Sequence, residues 1–110
     1  MNRIRLNPQQ LDQMQTQAGA AAALLKALAN EYRLLILCTL VPGELSVSQL
    51  NTRLPLAQSA LSQHLSKLRE HGLVTTRRDG LNVYYRLMDG PAARIIEVLY
   101  AAFCPPEVQP

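Results

Sequence analysis

The chain has 110 residues and a net charge of +3. That length fits one domain spanning 1–110, large enough to bury roughly 60–70% of its unfolded surface without disulfide staples. With no Trp and one Phe, Phe103, the core falls to Leu, Ala, Val and Ile, a mixture rich in helix formers. No apolar run approaches the ~20 residues that span a bilayer, and the start lacks a signal-peptide pattern. A cytoplasmic protein with no membrane partner is expected. Its two cysteines, Cys38 and Cys104, form neither a secreted disulfide framework nor a CxxC motif.

Residues 1–6 are expected to be loose. Asn7 is a suitable helix cap and Pro8 a suitable first helical residue. The first helix then runs to about Ala29, with Leu11, Met14, Ala18, Ala21, Leu25 and Leu28 at three- and four-residue spacing. Its apolar stripe and run of small residues mark it as a seam between two copies. Asn30 caps a second helix, Glu31 to about Val41, which Pro42-Gly43 ends. Leu34, Leu35, Leu37, Cys38 and Leu40 make that helix apolar around most of its circumference, so it should be central.

Ser46 opens a short third helix that Pro55 stops. A turn at Leu56-Ala57 leads to a longer fourth helix, about Gln58 to His71, ended by Gly72. Leu61, Leu65 and Leu68 give it a narrow apolar stripe. Two strand-like runs follow, Leu73–Arg78 and Asn82–Leu87, joined through Asp79-Gly80 as a hairpin. Pro91 starts a last, strongly apolar helix, and residues 105–110 form a C-terminal tail. The fold class is therefore mainly α with a small β-hairpin: about five helices and a two-stranded wing, a winged helix-turn-helix.

Charge is distributed unevenly. Between residues 53 and 86, Arg53, Lys67, Arg69, Arg77, Arg78 and Arg86 face only Glu70 and Asp79, a balance of +4, while the rest of the chain sums to −1. That concentration is the footprint of a phosphate binder. The outer face of the fourth helix carries Gln58, Ser59, Ser62 and Gln63, side chains that can hydrogen-bond base edges. Lys67, Arg69, Arg77 and Arg78 suit phosphates, and His64 lies at the edge of the face. A merely solvated helix is the plainer reading. Such a face usually mixes Glu with Lys, however, and Glu70 is the only acid from 58 to 71. Double-stranded DNA is the expected partner. His64 and His71, seven apart, are not a metal pair, and neither metal nor cofactor is expected.

The segments LLKALANEYRLLILCTL (24–40), ELSVSQL (44–50), QSALSQHLSKLREHGLV (58–74) and RRDGLNVYYRL (77–87) resemble the ArsR family of winged-helix repressors. The resemblance covers about residues 20–104. It implies a homodimer joined through the first and last helices, and release of DNA on a signal. Many members sense metals through a Cys-x-Cys pair in the segment equivalent to 44–50, where this chain has Ser46 and Ser48. Serine hydroxyls are poor ligands for thiophilic ions. A second family site uses Asp and His on the last helix, which has neither here.

Cys38 in "ILC" and Cys104 in the final "FC" resemble the paired cysteines of the sulfide- and persulfide-responsive branch, the BigR, SqrR and HlyU type. The resemblance implies redox sensing: disulfide or polysulfide bridging of Cys38 and Cys104 that alters DNA binding. The residues alone permit a plainer reading, in which each is a small buried hydrophobe. Leu34, Leu35 and Val41 surround Cys38 at helical spacing, a setting that raises a thiol pKa. A constitutive regulator without a thiol switch, an antirepressor that competes with another DNA-binding protein, and a metal sensor with a non-standard site remain open. No activated nucleophile with a basic partner is evident, so an enzyme is not expected.

Overall fold

A computed structural model describes residues 5–104. The expected loose start and C-terminal tail lie outside the described residues, apart from Arg5 and Leu6, which are exposed and carry no regular structure.

Helix α1 spans Pro8–Leu28. Asn7 Oδ1 accepts from the Gln10 backbone N–H at 2.7 Å while Gln10 Oε1 accepts from that of Asn7 at 3.0 Å. This reciprocal capping box, with Pro8 at the first position, fixes where the helix begins. Helix α2, Glu31–Thr39, is capped by Asn30, whose side chain accepts from the Arg33 N–H at 3.1 Å. It ends two residues before the expected Val41. Its last turn tightens, with Val41 N–H bonding to Cys38 O at 3.1 Å, and Val41 falls outside.

Helix α3 is Val47–Arg53 and helix α4 is Gln58–Glu70. Gly72 ends α4 at φ +69°. Leu73 N–H reaches Leu68 O at 2.9 Å and Gly72 N–H reaches Arg69 O at 3.0 Å, the bond pair of a Schellman motif, which glycine adopts without strain. Helix α5 covers Pro91–Phe103.

The hairpin strands are joined by a third. β1 (Leu45–Ser46) pairs antiparallel with β3 (Asn82–Leu87), which pairs antiparallel with β2 (Val74–Asp79), giving the order β1-β3-β2. Asp79 faces Asn82 across a two-residue turn. Gly80 at φ +62° occupies its first position, as a type II′ turn requires. Alternation assigns the sheet faces. Val74, Thr76, Arg78, Val83, Tyr85, Leu87 and Leu45 share one face, and Thr75, Arg77, Tyr84 and Arg86 share the other. The first is the inner face: Val74 and Leu45 are buried, and Tyr85 and Leu87 pack against the core.

That core joins Ile36, Leu37 and Leu40 of the α2 segment to Leu50 of α3, Leu61, Leu65 and Leu68 of α4, and Ile96 of α5, all almost fully buried. α2 is central as expected, although Leu35 stays exposed on one side. The α1 stripe is not covered within one chain. Leu11, Met14 and Leu25 are about half exposed; Ala27 and Leu28 at its end are buried in the core, with half-buried Leu24 packed against it. No helix among the described residues is long and apolar enough to cross a membrane.

Candidate nucleic-acid interface and dithiol site

Helix α4 is held rigidly from behind by Leu61, Leu65 and Leu68. Its opposite face presents Gln58, Ser59, Ser62, Gln63, Lys67 and Arg69, all exposed. Lys67 is lightly engaged, its Nζ 3.6 Å from Glu70 Oε2 with both side chains mostly in water. His64 is half-buried. Its ring tilts against that of Tyr32 with centroids 6.0 Å apart, which places it at the flank of the face. The wing tip stands beside the start of α4. Gln58, Asn51, Asn82 and Leu81 line one polar cavity of about 350 Å³ between α3, α4 and the hairpin.

The two wing arginines differ in environment. Arg78 lies on the inner sheet face, is exposed, and enters no ion pair among the described residues. Arg77 lies on the outer face and is pinned. Its Nη2 donates to Glu44 Oε1 at 2.6 Å and its Nε donates to Glu44 Oε2 at 3.2 Å. The guanidinium also sits 4.5 Å over the Tyr84 ring, with Asp79 at 3.9 Å. The hydrogen bond from Arg77 lowers the Glu44 pKa below its ordinary value; Glu44 in turn raises that of Arg77. No local sequence signal singles out Glu44 as a partner of the wing. The pair is 33 residues apart and depends on β1, which is too short to leave a periodic signal. An acid just before a Leu-Ser step was the only available hint.

Ser46 has a definite local role. Its Oγ accepts from the Gln49 N–H at 3.1 Å, and Gln49 Oε1 accepts from the Ser46 N–H at 2.8 Å. In the segment where metal sensors of the resembled family place a cysteine pair, this chain has a capping box.

The cysteines come together. Cys38 on α2 and Cys104, the cap of α5, both line an apolar cavity of about 370 Å³ with Leu34, Leu35, Leu99 and Phe103, and Glu31 at its wall. Both are free and half-buried. Burial, then the neighbouring Cys104 through its charge and hydrogen bond, pushes the Cys38 thiol up to about 11. Cys104 N–H is bonded to Tyr100 O at 3.0 Å, so the residue is anchored to the last turn of α5.

An amphipathic helix backed by a leucine stripe, preceded by a short helix and flanked by a β-hairpin, defines a winged helix-turn-helix protein. Comparison with known proteins places it further. The family described as "Bacterial regulatory protein, arsR family" matches residues 30–76. The biofilm growth-associated repressor of Agrobacterium fabrum is 50% identical over 97 residues, covering 88% of this chain and 83% of that protein. The transcriptional activator HlyU of Vibrio cholerae is 48% identical over 97 residues, covering 88% and 90% respectively. The solved structure described as reduced HlyU from Vibrio cholerae superposes with a TM-score of 0.79 at 48% identity, covering 84% of this chain and 98% of that one. The chain belongs to the arsR family, within its BigR/HlyU branch, and is a DNA-binding transcriptional regulator rather than an enzyme.

Proposed function

We propose that this chain is a cytoplasmic, homodimeric repressor of operator DNA, released or weakened when Cys38 and Cys104 become covalently linked in response to reactive sulfur species or oxidants. One observation carries the proposal. Two thiols 66 positions apart in sequence share the wall of a single apolar cavity between α2 and α5. With an organic persulfide RSSH the chemistry is balanced. One cysteine takes the outer sulfur and releases RSH, giving Cys–S–SH. The second attacks its inner sulfur, closing the disulfide and releasing H₂S. If each cysteine first takes an outer sulfur from its own RSSH, attack by the outer sulfur of one persulfide on the inner sulfur of the other closes a trisulfide bridge and again releases H₂S.

The link would join α2, at the heart of the helix-turn-helix, to α5, half of the expected dimer seam. Half-sites on DNA lie about 34 Å apart, so a small rotation at the seam misplaces the second reading helix. The shift in DNA affinity is set by how differently the linked and unlinked proteins favour the bound geometry. Gln58, Ser59, Ser62 and Gln63 read bases, and His64, Lys67, Arg69, Arg77 and Arg78 engage phosphates. That a relative's solved structure is described as reduced supports a redox reading. That one relative is named a repressor and another an activator favours a second outcome at some promoters: competition with another DNA-bound protein, with net activation.

The test is a mobility-shift titration on the DNA upstream of its own gene, with and without an organic persulfide, for the wild type, Cys38→Ser and Cys104→Ser. Mass spectrometry should show loss of two hydrogens for a disulfide or gain of sulfur for a polysulfide. Both single variants should bind DNA and resist the persulfide. Inducibility retained in both would end the proposal.

A further inference from the structure

A helix lying in the major groove is bounded by a phosphate strand on each side. The wing, beside Gln58, serves one flank of α4. The opposite flank holds a second cleft, about 390 Å³, lined by Arg33, Gln63, His64, Ser66 and Lys67. Arg33 comes from α2, and the sequence gives no reason to attach it to the reading face. Its backbone N–H is spent on Asn30 and its Nη1 donates to Ala27 O at 3.2 Å. Its Nε–H is buried with no acceptor. An unanswered guanidinium donor costs free energy unless an acceptor arrives. The same cleft is lined by Lys67, Gln63, Ser66 and His64, which bring an ammonium, an amide, a hydroxyl and an imidazole to it. No acid is among the described residues that line the cleft; Glu70 lies beside it, 3.6 Å from Lys67, and both side chains are exposed. Such a pair is weak in water and gives way to a phosphate.

We infer that this cleft is a phosphodiester site for the DNA strand opposite the wing, and that Arg33 is its central ligand. The site rests on the DNA-binding reading and extends it. It gives α4 an anchor on each flank, fixing the depth and roll of the helix in the groove without reading any base. Guanidinium suits the role because its planar donors fit phosphate oxygens in a way a lysine point charge does not, and a small turn of the side chain would bring the buried Nε–H to the phosphate.

A sequence-independent contact is read by salt dependence. Each phosphate neutralised contributes about 0.9 to the slope of log affinity against log salt. The measurement is binding of a generic 30-base-pair duplex across 50–200 mM salt by wild type, Arg33→Gln and Arg33→Lys. Glutamine removes the charge and lysine keeps it, while both lose the guanidinium bond to Ala27 O, so comparing the two variants separates phosphate binding from helix capping. Arg33→Gln should lower the slope by about one, losing about three- to four-fold less affinity over that range than wild type. Arg33→Lys should recover most of the slope.

In wild-type protein the Arg33 Nε–H resonance should move on titration with the same duplex, which keeps the inference testable if a variant folds poorly. An unchanged slope in Arg33→Gln, or an unmoved Nε–H signal while DNA binds, overturns it. Failure of the wild type to bind any duplex would overturn the DNA reading along with it.

Discussion

Cys38 is not an activated thiol in the resting protein. Burial first, and Cys104 second, holds it up at about 11, so only a minute fraction is thiolate near neutrality, and the thiolate is the nucleophile. Modification of Cys38 by a neutral alkylating reagent should therefore accelerate about tenfold per pH unit from pH 7 to 10, with no plateau below about 11. Site-resolved mass spectrometry against pH measures it, and a plateau near 9 would show that the cavity does not shield the thiol. The linkage has a definite sign. The unfolded thiol loses its proton near 9 and the folded one near 11. Its contribution to stability is whole below pH 9 and disappears as pH rises from 9 to 11. Ser46 offers a second test at this scale. Its hydroxyl caps α3 and is buried, so Ser46→Ala should cost about 1 kcal/mol, seen as a lower urea midpoint with unchanged slope.

The elements were mostly legible because their signals are local. Asn7 with Pro8, Asn30 and Ser46 mark helix starts through hydrogen bonds that reach only three residues. Gly72 and Gly80 mark the turns through positive φ. Strand β1 was not legible, since two residues show no periodicity and its pairing with Tyr84 and Tyr85 spans 38 to 40 positions. The wing is consequently stiffer than a free two-stranded hairpin, and its arginines are not equivalent, which the dipeptide Arg77-Arg78 alone does not reveal. Arg77 already shares its charge with Glu44, so it has less to give to a phosphate. Arg78→Ala should lower the salt slope of DNA affinity by about one, and Arg77→Ala by distinctly less. Equal reductions would mean that the Glu44 pair opens on DNA.

For the whole molecule, the uncovered apolar surface is the feature a single chain leaves unresolved. A helix of 21 residues is about 31 Å long, yet only Ala27 and Leu28 of α1 are buried, while α5 exposes Val98 at 66% and Phe103 at 80%. Isolated helices draw little stability from propensity and form mainly by packing an apolar face. In the dimer proposed above, a second copy laying its α1 and α5 against these residues would supply that packing and would place two reading helices on one side of the molecule. The stripe was readable from sequence as a repeat of three and four. Whether it was core or interface was not, because periodicity does not say what covers a face. Placing a charge in the middle of the stripe, at Met14, about half exposed in one chain, should therefore leave the leucine core intact while splitting the proposed dimer. For Met14→Glu, sedimentation equilibrium should give a monomer at concentrations where wild type is a dimer. The urea midpoint should lose its dependence on protein concentration. Operator affinity should fall sharply, because one half-site must then be bound without its partner. A variant that stays dimeric and binds the operator normally would place the seam elsewhere, and with it the route by which a link between Cys38 and Cys104 could reach the DNA.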